Sequence, residues 1–281
     1  MDEFGDEIRV GNDSVEITVA PDKGFSLISF CWRGMEILDK RLKADFLAVR
    51  KGLGPLIVPH FNQFASVPRV DKRAFPHIAA LESRGVKHPF QHGIGRYVPW
   101  QFEVMGDEIR GVINGDMTCN GYSLSELTGY DFTAAVAYSL ISDGLEIAFD
   151  VRGEQPVAAG IHFYYDLVEK AQASVLLPGS SLAGETCLQL EDPLDRSYPM
   201  KIGLPRTDAI CSLATPRYSL MTTFPTGGPP EGSFDTLVVF SPAGTTFACI
   251  EPVSYRVGEQ NEKHHFSGSI RLNLRPPATA E

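Results

Sequence analysis

The sequence predicts an all-β protein, a sandwich or barrel of large antiparallel sheets. Three observations lead there. Apolar residues alternate with period two in most of the apolar runs, and Asp, Gly and Pro turn residues punctuate those runs. No stretch keeps a 3.6-residue period for three turns. Many short strands joined by Gly/Pro turns define β layers rather than helical bundles. In a chain of 281 residues the sheets must be large. No composition shift marks a boundary, so a single domain over 1–281 is expected, with a frayed tail from about 275.

The elements follow in order. "SVEITVAPDKGFSLISFCWRGMEIL" (14–38) holds two β-rich runs around the turn Pro21-Asp22-Lys23-Gly24, with a second turn at Arg33-Gly34. Val15, Ile17 and Val19 set the alternation. "DKRLKADFLAVRKG" (39–52) is the nearest approach to a helix and reads as a short helix or an irregular connection. In "FTAAVAYSLISDGLEIAFDV" (132–151), Asp143-Gly144 is a strong hairpin signal. "FDTLVVFSPAGTTFACIEPV" (234–253) repeats the grammar with Pro242-Ala243-Gly244 as its turn. "TGGPPEGS" (226–233) is a loop and "SGSIRLNLR" (267–275) a last strand.

Charge and motifs exclude several classes. A net charge of −10 and a pI near 5.2 argue against nucleic acid as a partner. No apolar run approaches the roughly 20 residues that span a bilayer, so no membrane partner is expected. "MDEFGDEIRV" is acidic and lacks the apolar core of a secretory signal. The five cysteines (Cys31, Cys119, Cys187, Cys211, Cys249) are scattered without a CxxC, which suits reduced thiols and a cytoplasmic location. GxGxxG, P-loop, GxSxG and HExxH are all missing.

Three clumps of chemistry-bearing residues remain. In "HPFQHGIGRYVPW" (88–100), Pro89, Gly93 and Gly95 deny a helix, so His88 and His92 are not a helical zinc pair. His92 and Arg96 read either as donors in a concave site or as parts of a turn entering a strand, with Trp100 in the core. His88 reads as a brace for the loop. In "AAGIHFYYDL" (158–167), Phe163 and Tyr165 face away from His162 and Tyr164. His162 is either a core histidine or one wall of a pocket. In "FACIEPVS" (247–254), Glu251 closes an apolar run ahead of Pro252. It is either a strand-terminal carboxylate facing water or a partly buried general base.

Taken in order, "EITVAPDKGFSLISFCWRGMEIL", "GPLIVPHFNQF" (54–64), "HPFQHGIGRYVPW", "AAGIHFYYDL" and "FACIEPVS" resemble the aldose 1-epimerase (galactose mutarotase-like) family, including its hexose-6-phosphate epimerase branch. The resemblance spans about residues 14–275. It implies a large antiparallel β-supersandwich and a monosaccharide substrate whose α and β anomers interconvert without metal or organic cofactor. It also implies roles: Glu251 as base, His162 as acid, His92 as a second donor, and Asn62, Arg96 and Asp208 as sugar-binding residues. The sequence departs from the pattern in places. Asn62-Gln63 stands where the family has Asn-Arg, and "RVGEQNE" (256–262) replaces a "DAFN"-like run. Residues 162–165 read His-Phe-Tyr-Tyr rather than His-Pro-Tyr-Phe. Arg69, Lys72, Arg73 and Lys87 are candidates for a phosphate clamp or an ordinary cationic surface loop. A sugar-binding protein without turnover is the competing class, and the oligomeric state is left open.

Overall fold

The computed structural model describes residues 4–61, 70–178, 186–190, 200–201, 209–226, 230–255 and 260–277. Alternation at the start of the chain produces a meander. Ile8–Gly11, Val15–Ala20, Ser26–Trp32 and Met35–Glu36 pair in that order as a four-stranded antiparallel sheet. The predicted turn between its second and third strands is a 3-10 turn, Pro21–Lys23, closed by Gly24 at φ 76°. Glycine alone adopts that left-handed conformation without cost. A Cβ at Gly24 would also overlap the backbone of Arg96. The Trp100 N–H donates to the Pro21 carbonyl at 3.2 Å, and the Phe25 ring stacks on Trp100 at 5.3 Å. The first hairpin therefore anchors the loop that carries His92 and Arg96.

The Asp-Gly signal closes the hairpin Phe132–Ile141 with Gly144–Gly153, ten residues on each side. It belongs to a nine-stranded antiparallel sheet. The strand His265–Arg275 is the middle member, paired with Ser219–Phe224 on one side and Gly144–Gly153 on the other. Gln101–Met105 is an edge strand, exposed along its whole length, with Phe102, Val104 and Met105 each nearly half exposed. A third, six-stranded sheet contains Thr236–Phe240, Phe247–Val253, Gly160–Ile161 and Leu56–Ile57 as successive neighbours, with Tyr164–Asp166 also paired to Phe247–Val253.

One hydrophobic core runs between these sheets. It takes Ile17 and Phe30 from the first, Tyr138, Ile147 and Leu272 from the second, and Leu237, Val239 and Ile250 from the third. Helices are short. The stretch 39–52 forms the 3-10 turn Lys40–Leu42 and the helix Lys43–Val49. His77–Ser83 and Leu124–Thr128 are helices that the alternation did not announce. At seven and five residues they are too short to show three turns of periodicity. Among the described residues no helix is long and apolar enough to cross a membrane.

Gly24→Ala is expected to lower the melting temperature, because left-handed backbone strain costs ~1–3 kcal/mol before the overlap with Arg96 is counted. A thermal melt by circular dichroism checks this, and an unchanged midpoint would show that the turn does not anchor the loop.

Candidate functional site

Strand pairing brings the acid and the imidazole together. Phe247–Val253 is buried throughout, and its residues alternate between two surroundings. Ala248 and Ile250 enter the main core, whereas Phe247, Cys249 and Val253 belong to two small satellite clusters. Glu251 shares the face of Cys249 and Val253. The partner segment pairs Gly160 with Val253 and Tyr164 with Cys249. One register joins these two pairs, so His162 falls opposite Glu251. The His162 Nε2 to Glu251 Oε1 distance is 3.3 Å. Glu251 is therefore neither strand-terminal nor facing water, as one sequence reading allowed. The strand continues through Pro252 to Val253, and Glu251 is 2% exposed.

The pair opens onto a cavity of about 370 Å³ lined by Phe61, His92, Arg96, Tyr97, Tyr164 and Phe240, among others. Tyr164 stacks on the His162 ring at 4.9 Å with 16° between planes, which fixes the imidazole. His92 meets His162 edge to face at 5.3 Å. It sits at φ 63°, unusual for a residue with a Cβ, and Gly93 follows at φ 99°. A side chain at Gly93 would run into the Val58 carbonyl. The backbone thus approaches closely at Gly93, and His92 lines the cavity. His88 braces the loop, its Nδ1 accepting the Phe90 N–H at 3.1 Å.

Arg96 is 3% exposed and donates twice, from Nε and Nη2, to the Leu56 carbonyl at 3.1 and 3.0 Å. Burial dominates the local electrostatics, and the Arg96 charge is the next influence. Burial pushes the Glu251 carboxyl up to about 8, with Arg96 opposing the shift. Burial, then Arg96, holds His162 well below its usual range, and His92 is lowered for the same reasons with His162 adding to them. At neutral pH the pair therefore holds one proton. It can sit on the carboxyl, or on the imidazole facing a carboxylate, with no change in net charge. Among the described residues the His162 Nδ1 has no hydrogen-bond partner.

The structure brings Glu251, His162, His92 and Arg96 to one cavity. Asn62 and Asp208 lie outside the described residues. The described members of the suggested phosphate clamp do not gather at the cavity. Lys72 pairs with Glu82 at 2.7 Å, neither Arg73 nor Lys87 lines the cavity, and Arg69 lies outside the described residues. Among the described residues, the cations besides Arg96 that line the cavity are Arg50, Lys51 and Arg84, with Lys51 and Arg84 exposed at its rim. Arg50 caps the helix Lys43–Val49 from the left-handed region and donates to the Phe46 and Leu47 carbonyls. Arg84 pairs with Asp45. A basic residue after an apolar helical turn is a C-terminal capping signal, and reading "AVRKG" that way would have pointed here.

No protein-family model and no curated protein sequence matches the chain. Solved structures do match. The Slr1438 protein from Synechocystis sp. PCC 6803 superposes with a TM-score of 0.70 at 17% identity, covering 96% of each chain. A galactose mutarotase related enzyme from Lactobacillus acidophilus gives 0.66 at 12% identity, over 98% of this chain and 99% of that one. A GalM/aldose epimerase homologue from C. elegans gives 0.65 at 12%, over 97% and 99%. Likeness at such identities shows the fold, and the fold is the galactose mutarotase-like β-sandwich that the sequence resemblance implied.

The buried acid makes stability depend on pH. Folded Glu251 keeps a proton that the unfolded chain releases above its ordinary 4.5, so this group lowers stability as pH rises from 4.5 to about 8. Glu251→Gln lacks that loss. Its melting temperature is expected to pull ahead of the parent's progressively across the window, and a pH-independent gap would show that the carboxyl does not titrate there.

Proposed function

We propose that the protein is an aldose 1-epimerase that interconverts the α and β anomers of a free aldose. The observation that carries the reading is the buried Glu251–His162 pair, 3.3 Å apart, at the wall of a cavity in the size range of small-molecule sites. In the productive form Glu251 is a carboxylate and His162 an imidazolium. Glu251 takes the proton from the anomeric hydroxyl while His162 gives its proton to the ring oxygen. The bond from C1 to the ring oxygen breaks as the C1 carbonyl forms. Rotation about C1–C2 presents the other carbonyl face, and the two proton transfers reverse. The pair needs no outside proton, because each half-cycle only exchanges which member holds it.

His92 serves as the second donor toward the ring oxygen. Arg96, Asn62 and Asp208 are the proposed sugar-binding residues. The Arg96 guanidinium, fixed on the Leu56 carbonyl, supplies a buried cation that the Asn62-Gln63 pair does not. The scattered free cysteines support a cytoplasmic location. A second reading, a hexose-6-phosphate 1-epimerase, is favoured by Arg50, Lys51 and Arg84 at the rim of a cavity in an otherwise acidic chain. Cations concentrated there would hold an anionic group at the end of the sugar away from the anomeric carbon.

Anomer exchange measured by NMR on a panel of aldoses tests the reading. Glu251→Gln is expected to slow exchange by about 10²–10⁴-fold while sugar still binds. Full activity would remove Glu251 from the reaction, and sugar binding without exchange in the parent protein would favour a binding module. The rate is expected to fall on the alkaline side near pH 8, as the pair loses its single proton, and to hold below pH 6.5, since His162 is lowered. An alkaline limb well above pH 8 would contradict the one-proton pair. Lys51→Ala with Arg84→Ala is expected to raise KM for a hexose 6-phosphate and to leave the free hexose unaffected. Equal effects on both would dismiss the second reading.

A further inference from the structure

The face of Phe247–Val253 that carries Glu251 also carries Cys249, which the acid–base reading does not use. Cys249 is fully buried, packed with Tyr164 and Phe247. One ligand atom each from His162, Cys249 and Glu251 lies within 4.8 Å of the other two. The register explains the convergence. Cys249 and Glu251 are two residues apart on one strand face, and His162 sits across from Glu251 on the neighbouring segment. A thiolate, an imidazole and a carboxylate are the donor types that borderline-soft divalent ions select.

We propose that His162, Cys249 and Glu251 form a three-ligand site for a zinc-class divalent ion, and that binding there switches the cavity off by occupying its acid–base pair. Geometry limits how much must move. Ligand atoms at about 2.0–2.3 Å from a tetrahedral ion stand about 3.3–3.7 Å apart. The imidazole–carboxylate separation of 3.3 Å already fits, and no separation in the trio needs to close by more than about an ångström. A thiolate and a carboxylate together balance a divalent charge inside the protein. Arg96 opposes the ion, but its guanidinium is tied back to the Leu56 carbonyl. His162 and Glu251 line the cavity, so a fourth ligand would come from it, as water or a sugar hydroxyl. On binding, the Cys249 thiol gives its proton to solvent, and so does the Glu251–His162 pair, which must shed the one proton it holds before both members can ligate the ion. Mg²⁺ and Ca²⁺, which demand more oxygen ligands, are excluded by the same donor set.

Inhibition rests on the acid–base reading above, whereas metal binding does not, and the experiment separates them. Chelator-treated protein is titrated with Co²⁺. One equivalent is expected to bind with thiolate-to-cobalt charge-transfer absorption, which Zn²⁺ displaces and Mg²⁺ does not. Cys249→Ala is expected to abolish the absorption, and Cys211→Ala, at a buried cysteine elsewhere in the core, to keep it. His162→Asn, which leaves every thiol in place, is expected to weaken Zn²⁺ binding by at least about tenfold. It answers the same question should Cys249→Ala fail to fold. Absence of the absorption in the parent, its survival in Cys249→Ala, or unchanged Zn²⁺ affinity in His162→Asn would overturn the site. Zn²⁺ is further expected to stop anomer exchange reversibly, with chelator restoring it. Cobalt binding in a protein that exchanges no aldose would sink the acid–base reading and leave the metal site standing. Exchange at full rate with Zn²⁺ bound would overturn the proposed switch.

Discussion

The site depends on one carboxyl buried in the cavity wall, with only 2% of its surface exposed. An isolated ionised carboxylate in a protein interior is expensive, so the group stays protonated or shares its proton with a partner. Here the antiparallel register supplies the partner, and no loop is needed to fix the distance. Glu251 and His162 are held by main-chain pairing on both sides of them, at Gly160 with Val253 and at Tyr164 with Cys249. The alternation of Phe247–Val253 does the rest, since its other face is welded into the main core through Ala248 and Ile250. A slip of one residue would put Glu251 into that core and Ile250 into the cavity.

The walls around the pair are less regular and are tied down one contact at a time. Gly24 sits against the Arg96 backbone, Trp100 bonds the Pro21 carbonyl, and its indole N–H closes on the Gly95 carbonyl at 2.7 Å. His60 and His88 meet edge to face at 5.6 Å behind the loop. Arg96 is the joint of the assembly, binding the Leu56 carbonyl of the six-stranded sheet while its charge reaches Glu251, His162 and His92. A cation so placed keeps the carboxyl from rising further and both imidazoles from charging early. One side chain therefore biases all three groups that would move protons.

Much of the fold was legible because strand alternation is local. The hairpin at 142–144, the turn at 21–24 and the outward and inward faces of 162–165 each follow from neighbouring residues. What was not legible depends on partners far along the chain. Nothing near Glu251 in the sequence says whether its strand stops at Pro252, and the answer comes from the pairing of Leu237 with Pro252. The rim cations escaped notice because Arg84 ends a helix too short to announce itself, while Arg50 ends a stretch read only as a short helix or an irregular connection. Cys249 sat in an apolar run, and only the register shows that the face it shares with Glu251 meets His162.

The middle place of His265–Arg275 in the nine-stranded sheet has a consequence for how the protein is made. The ribosome produces this strand after all eight of the strands it unites. Until it emerges, Ser219–Phe224 and Gly144–Gly153 are two raw borders belonging to separate half-sheets, each with unclaimed amide groups. The emerging chain therefore cannot finish its largest layer vectorially, and the closing step is an insertion between two waiting halves. Cellular quality control has its longest opportunity to seize this polypeptide in that interval.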